Sequence, residues 1–149
     1  SLIASPQELK NIKPVINSLL DQTVKINSIY IITESEYNPP ENIKNICHIN
    51  QNNDLIPQIL QEGETNINIL FLGADKIYGK DFIESMYDFS KLNNNTVVYI
   101  GDKIEPRNGI LLPVDIIQED DNLFDLDINK LLLNKEKYKL KYTLNYKKI

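Results

Sequence analysis

At 149 residues the chain has the size of one domain, able to bury roughly two thirds of its unfolded surface without a disulfide or structural metal. Its single cysteine, Cys47, excludes an internal disulfide, and no apolar run approaches the ~20 residues that span a bilayer, the longest, Ile67 to Ala74, being interrupted by Asn68. Residues 130 to 149 hold seven Lys against one Glu, a net +6, so the overall charge of −5 leaves −11 on residues 1 to 129, an acidic body unsuited to tracking nucleic-acid phosphates.

Leu2-Ile3-Ala4 reads as the end of a first strand. Ser5-Pro6-Gln7-Glu8 then has the form of a helix start: Ser5 is placed to cap, Pro6 to take the first helical position and Glu8 to close a capping box. Leu9, Ile12, Ile16, Leu19 and Leu20 recur at three or four residues, which predicts one helix with an apolar stripe ending near Asp21-Gln22. Ile26 to Thr33, rich in β-branched and aromatic residues, is the second predicted strand, closed by Glu34-Ser35-Glu36. Asn38-Pro39-Pro40-Glu41 is a loop, because each proline disfavours helix at the residue before it.

Ile43 to Ile49 is expected as a third strand, Leu55 to Gln61 as a short helix and Ile67 to Leu72 as a buried fourth strand. Gly73-Ala74-Asp75-Lys76 forms the turn after it, and the next helix starts near Asp81 with Phe82, Met86 and Phe89 on one face. Thr96 to Ile100 is a fifth strand, Gly109 to Ile117 a further extended segment around Pro113, and Asp120 to Asp127 a loop. Asn129 to Leu133 has the pattern of a short helix. Tyr138, Leu140, Tyr142, Leu144 and Tyr146 alternate with polar residues, which predicts one half-buried edge strand with its lysines toward solvent; Tyr interleaved with Lys as a nucleic-acid surface is the lesser reading. The β-α-β-β-α-β-α-β alternation predicts a three-layer α/β domain with a mainly parallel sheet covered on both faces.

Few residue constellations can carry chemistry. His48 is the one histidine, so a histidine-based metal cluster or a Ser-His-Asp triad lacks partners; it follows Cys47 in a predicted strand, where neighbours point to opposite faces, which disfavours a thiol-imidazole pair. There is no Walker-type or Gly-x-Gly-x-x-Gly phosphate loop. Asp75, at the C-terminal end of the fourth strand, is where open α/β sheets bind ligands, although Asp in such turns also serves its own backbone. A receiver-like reading lacks the second acidic cluster that such chemistry needs after the first strand, where Ser5-Pro6 stands.

Taken in order, Ser5-Pro6, Asn17 to Val24, Ile29 to Glu34, Asp54-Leu55-Ile56-Pro57, the strand ending in Gly73-Ala74-Asp75, and Ile77 to Ile83 resemble the nucleotide-binding half of GT-A-type, family-2-like inverting glycosyltransferases over approximately residues 2 to 101. The resemblance implies a Rossmann-like GT-A domain spanning 1–149, with a nucleotide-sugar-binding half at 1–101 and a reduced acceptor-side segment and terminal strand at 102–149. It implies a UDP- or GDP-linked sugar donor, an unidentified acceptor, and a divalent cation, Mn²⁺ or Mg²⁺, held at Asp75. The first carboxylate of the family's Asp-x-Asp motif is Gly73 here.

By the same resemblance, Ser5 and Glu34 meet the base and ribose, and Glu119 or Asp120 is the general base that deprotonates the acceptor hydroxyl. As plain structure, Ser5 is a helix cap, Glu34 an exposed loop charge and Glu119-Asp120 a solvated acidic loop. Only 43 residues separate Asp75 from Glu119, so the acceptor-binding part is shortened. The expectation is a glycosyltransferase or its donor-binding domain, with a catalytically degenerate scaffold, oligomeric or part of a longer chain, as the alternative. Without a basic flank and apolar core typical of a secretory signal, the expected setting is cytoplasmic, with no nucleic-acid partner.

Overall fold

The computed structural model describes residues 1–40, 46–50, 55, 58–59, 68–113, 137–139 and 146–148. Among these residues, seven strands form the main sheet: β1 (Leu2–Ile3), β2 (Ile29–Ile32), β3 (Ile46–Ile49), β4 (Ile69–Gly73), β6 (Val97–Tyr99), β7 (Ile110–Leu112) and β8 (Lys137–Lys139), in the spatial order β3-β2-β1-β4-β7-β6-β8. Every pairing is parallel except the two made by β7, with β4 and with β6. A second, two-stranded sheet pairs β5 (Lys76–Tyr78) antiparallel with β9 (Tyr146–Lys148).

Strand alternation divides the apolar residues between two cores. Leu2, Ala4, Ile29, Ile31, Leu72, Val98 and Leu111 face one side, where they meet Ile12, Val15, Ile16 and Leu19 of α2 (Ile12–Leu20) and Phe82, Met86 and Phe89 of α3 (Phe82–Leu92). Tyr30, Ile32, Ile49, Ile69, Phe71, Val97, Ile110 and Leu112 face the other, with Leu55 and Ile59, both helical, packed over them. The fold is therefore the expected three-layer α/β arrangement with a mainly parallel sheet.

The predicted capping box forms. Ser5 Oγ accepts a hydrogen bond from Glu8 N (3.3 Å), and Glu8 Oε1 accepts one from Ser5 N (2.8 Å). The helix it starts is not continuous, however: α1 (Pro6–Leu9) ends in a turn, and α2 begins at Ile12. Pro14 explains the break, since it has no N–H to offer the Lys10 carbonyl and its ring would strike that carbonyl in an unbroken helix. With the phase reset, Leu20 falls outside the buried stripe and is half exposed.

Two further boundaries differ from expectation. The turn after β4 is Ala74-Asp75, with Gly73 still in the strand and Lys76 opening β5. The described ends of the predicted strand from Tyr138 to Tyr146 pair in different sheets: β8 pairs with β6 while β9 pairs with β5. The residues between them, 140–145, lie outside the described residues. The expected loop at 120–127, the helix at 129–133, and most of the helix at 55–61 lie outside the described residues.

Candidate functional site at the C-terminal sheet edge

Strand order reverses between β1 and β4. From β1 the chain moves outward to β2 and β3, then returns to place β4 on the other side. That crevice, beyond the carboxyl ends of the strands, is where open α/β sheets bind ligands. Registered pairing fixes what faces it. Ile32, Ile3 and Gly73 form one row across β2, β1 and β4, and Glu34, Ser5 and Asp75 each lie two residues beyond that row. Three of the residues singled out from sequence thereby follow the ends of three neighbouring strands.

They differ in how far they are committed. Ser5 is the α1 cap already described. Glu34 is exposed in the bend after β2, beside buried Thr33, whose Oγ1 accepts from Ser35 N (3.3 Å). Asp75 Oδ1 accepts from Lys76 Nζ at 3.0 Å; the Asp75 side chain is 38% exposed and that of Lys76 only 12%. Asp75 thus serves as the counterion of a largely buried ammonium. Glu119 and Asp120 lie outside the described residues.

A residue not anticipated from sequence, Arg107, closes the crevice. A 3-10 turn, Pro106–Asn108, lies across the ends of β1 and β4, where Arg107 Nη1 donates to the Ile3 carbonyl (2.9 Å). The guanidinium also grips Glu8 in a fork, Nη1 to Oε1 at 2.9 Å and Nη2 to Oε2 at 2.7 Å. Arg107's bond to the carboxylate holds the Glu8 pKa down at about 2, against the opposing effect of burial, and the same bond raises that of Arg107. Glu8 therefore joins the helix cap, β1 and the 3-10 turn.

The same turn explains Gly73. A Cβ built there would lie 2.7 Å from the Arg107 carbonyl oxygen and 2.6 Å from Asp75 Oδ1. The glycine is needed for close approach, since any side chain at this position meets backbone. Beneath it the buried Tyr78 hydroxyl donates to the Gly73 carbonyl at 2.6 Å, and burial, followed by the nearby Asp75 charge, pushes its pKa well above the usual phenol range. Tyr78 is held in turn by α2: its N–H donates to Ser18 Oγ (3.1 Å). Gln22 ties the end of α2 to Gly79 O and Ile83 N (2.6 and 3.0 Å).

The donor set can be weighed against the divalent cation that GT-A-like folds bring to mind. Hard cations take oxygen ligands. Position 73 cannot supply one, Asp75 is paired with Lys76, Glu8 is engaged by Arg107, and no group of three or more His, Cys, Asp or Glu is gathered among the described residues. The remaining carboxylate, Glu34, follows β2, two strands away from Asp75, so the described residues do not gather a ligand set that fits a protein-held metal ion. His48 takes no part; its Nε2 lies 3.0 Å from the Thr33 carbonyl and its ring meets Tyr37 edge-on.

A cavity of about 350 Å³ opens at the opposite edge, near the starts of β2 and β4, lined by Leu19, Ser28, Ile29, Asn68, Ile69 and Tyr87 among others. It includes none of Ser5, Glu34, Asp75 or Arg107. No helix among the described residues is long and apolar enough to cross a membrane.

No protein-family model matches the chain, and no curated protein matches its sequence. Solved structures do match. The crystal structure of S. aureus TarS superposes with a TM-score of 0.62 at 13% identity, covering 97% of this chain and 35% of that one. S. aureus TarS 1-349 gives 0.61 at 14%, covering 97% and 58%, and its complex with UDP-GlcNAc gives 0.62 at 14%, covering 97% and 56%. The chain thus spans between about a third and somewhat over half the length of these neighbours. At such identities the likeness is one of fold, and the fold is α/β and GT-A-like.

Proposed function

We propose that the chain binds a nucleotide sugar at the crevice between β1 and β4 and belongs to a glycosyltransferase, as the whole enzyme or its donor-binding domain. The observation that carries this reading is the placement of Glu34, Ser5 and Asp75 each two residues past the registered row Ile32, Ile3 and Gly73 at the strand-order reversal, in a fold shared with a protein solved holding UDP-GlcNAc. Glu34 and the Ser5 hydroxyl lie on the base and ribose side, and Asp75, Lys76 and Arg107 on the phosphate side.

Transfer would follow the course of an inverting reaction. Glu119 or Asp120 takes the proton of the acceptor hydroxyl as its oxygen bonds the anomeric carbon, and the bond from that carbon to the diphosphate oxygen breaks, releasing the nucleoside diphosphate. The donor is UDP- or GDP-linked, the acceptor is of unassigned class, and the setting is cytoplasmic.

A second reading is favoured by one observation. The 3-10 turn packs its backbone against Gly73 while Lys76 and Arg107 each hold a carboxylate, the arrangement of a site converted to internal support. On that reading the chain is a scaffold that forms a defined oligomer or partner complex. Calorimetric titration with UDP, GDP and UDP-GlcNAc separates the two. Binding of any of them, weakened by Glu34→Ala, supports the donor site; no heat and an unshifted melting temperature with all three assigns the scaffold role.

A further inference from the structure

We propose that the diphosphate of the ligand is held directly by the Arg107 guanidinium and the Lys76 ammonium, with no divalent cation between protein and phosphate; this rests on the nucleotide-sugar reading above. The hydrogen-bonding groups left unused in the crevice favour an anion. A guanidinium carries five N–H donors. Three bonds are made, to Ile3 O, Glu8 Oε1 and Glu8 Oε2, which leaves Nε–H and one Nη2–H without an acceptor among the described residues. The Arg107 side chain is 40% exposed.

Of the three N–H groups on Lys76 Nζ, one bonds Asp75 Oδ1, and the described residues provide no hydrogen-bond acceptor for the other two. On the phosphate side these four donors face one spare carboxylate oxygen, Asp75 Oδ2, while the exposed Glu34 carboxylate lies at the end of β2, two strands away from Asp75. Phosphate oxygens need donors and a metal ion needs acceptors, so the inventory suits the anion.

Both cations are also held in place before a ligand arrives. Arg107 is fixed by its fork on Glu8 and by the Ile3 carbonyl. Lys76 sits in β5, registered on Lys148 of β9, with its ammonium 6.0 Å from the centre of the Tyr146 ring. A guanidinium anchored by a carboxylate presents its remaining edge to phosphate with little side-chain entropy left to lose. A divalent cation on Asp75 would instead take the counterion from an ammonium whose side chain is only 12% exposed and set a like charge beside it.

The test is titration of the full chain with UDP, GDP and inorganic pyrophosphate, in EDTA and again with Mn²⁺. Binding in EDTA, with affinity within a few-fold of that in Mn²⁺ and about tenfold or more weaker in Lys76→Met and Arg107→Lys, is the expected result. Arg107→Lys keeps a positive charge near Glu8, and its melting temperature is recorded alongside. Binding that appears only with Mn²⁺ overturns this inference and leaves the nucleotide-sugar site standing. Unaltered affinity in both variants also overturns it. Binding of none of the three in either condition overturns both.

Discussion

Gly73→Ala isolates the close approach at the sheet edge. The new methyl would stand 2.7 Å from the Arg107 carbonyl oxygen, short of ordinary van der Waals contact by about 0.7 Å, and 2.6 Å from Asp75 Oδ1. Neither neighbour yields freely. The carboxylate is tied to Lys76, and the turn carrying the carbonyl is tied through its guanidinium to Glu8 and Ile3. Overpacking of this kind costs ~1–3 kcal/mol. Alanine also stiffens the unfolded chain, which offsets ~0.4–1 kcal/mol where the backbone conformation is permitted. Gly73 is not among the positive-φ glycines, so that offset applies.

The net expectation is a loss of about 1–2 kcal/mol, or a fall in melting temperature of about 2–8 °C at this chain length. Gly73→Asp, which restores the spelling Asp-x-Asp, should fall further, because a second carboxylate is added beside Asp75, and should gain no stability from Mn²⁺. Circular dichroism melts in EDTA and in Mn²⁺ measure both variants. A Gly73→Ala protein that melts at or above the parent, or a Gly73→Asp protein raised by Mn²⁺, would show that the 3-10 turn moves aside and that the steric reasoning is wrong.

Glu8 should dominate one part of the acid response. Its folded pKa of about 2 lies below the ordinary 4.5, so the folded state binds fewer protons, and the stabilisation is complete above about pH 4.5 and lost as pH falls toward 2. Glu8→Gln is expected to cost about 1–2 kcal/mol at pH 7, the exposure of Arg107 having been allowed for, with the gap to the parent more than halved by pH 3 in matched melts. A gap that does not change with pH would remove the ion pair from the explanation. Ser5→Ala should lower stability by about 1 kcal/mol through loss of the cap. Ser5→Asp should restore the melting temperature, because Asp caps equally well; if UDP affinity returns with it, Ser5 acts through the helix and not on the nucleotide.

The architecture was legible because its periodicities are strong and local. Residues 29–32 and 69–73 alternate between two cores, Phe82, Met86 and Phe89 keep helical spacing, and Ser5 and Glu8 form their box within one turn. What escaped was either a backbone effect hidden inside a good pattern or a contact between distant segments. Pro14 stands in the apolar repeat from Leu9 to Leu20 without disturbing its spacing, yet it divides the helix. Of the candidate residues, Asp75 was read from its strand end and Ser5 and Glu34 only from the family resemblance, while the reason for Gly73 lies more than thirty residues away in Arg107. A signal was available, since Arg107 is the one arginine in a chain that otherwise uses lysine, and such an exception suggests a need for a planar fork. The tail misled because alternation specifies a strand and not its partner.

The short strand β1 lies inside the sheet, and its neighbours come from far along the chain: Ile3 registers with Ile32 on one side and Gly73 on the other, and its carbonyl binds Arg107 across 104 positions. Such a strand is a poor seed, because each of its partners must first close a long loop. Refolding should therefore be slow for a domain of this size and rate-limited by insertion of the first segment between β2 and β4. Mutations in β1 would then mainly accelerate unfolding, whereas those in the β6-β7 pairing, closer in sequence, would slow folding itself.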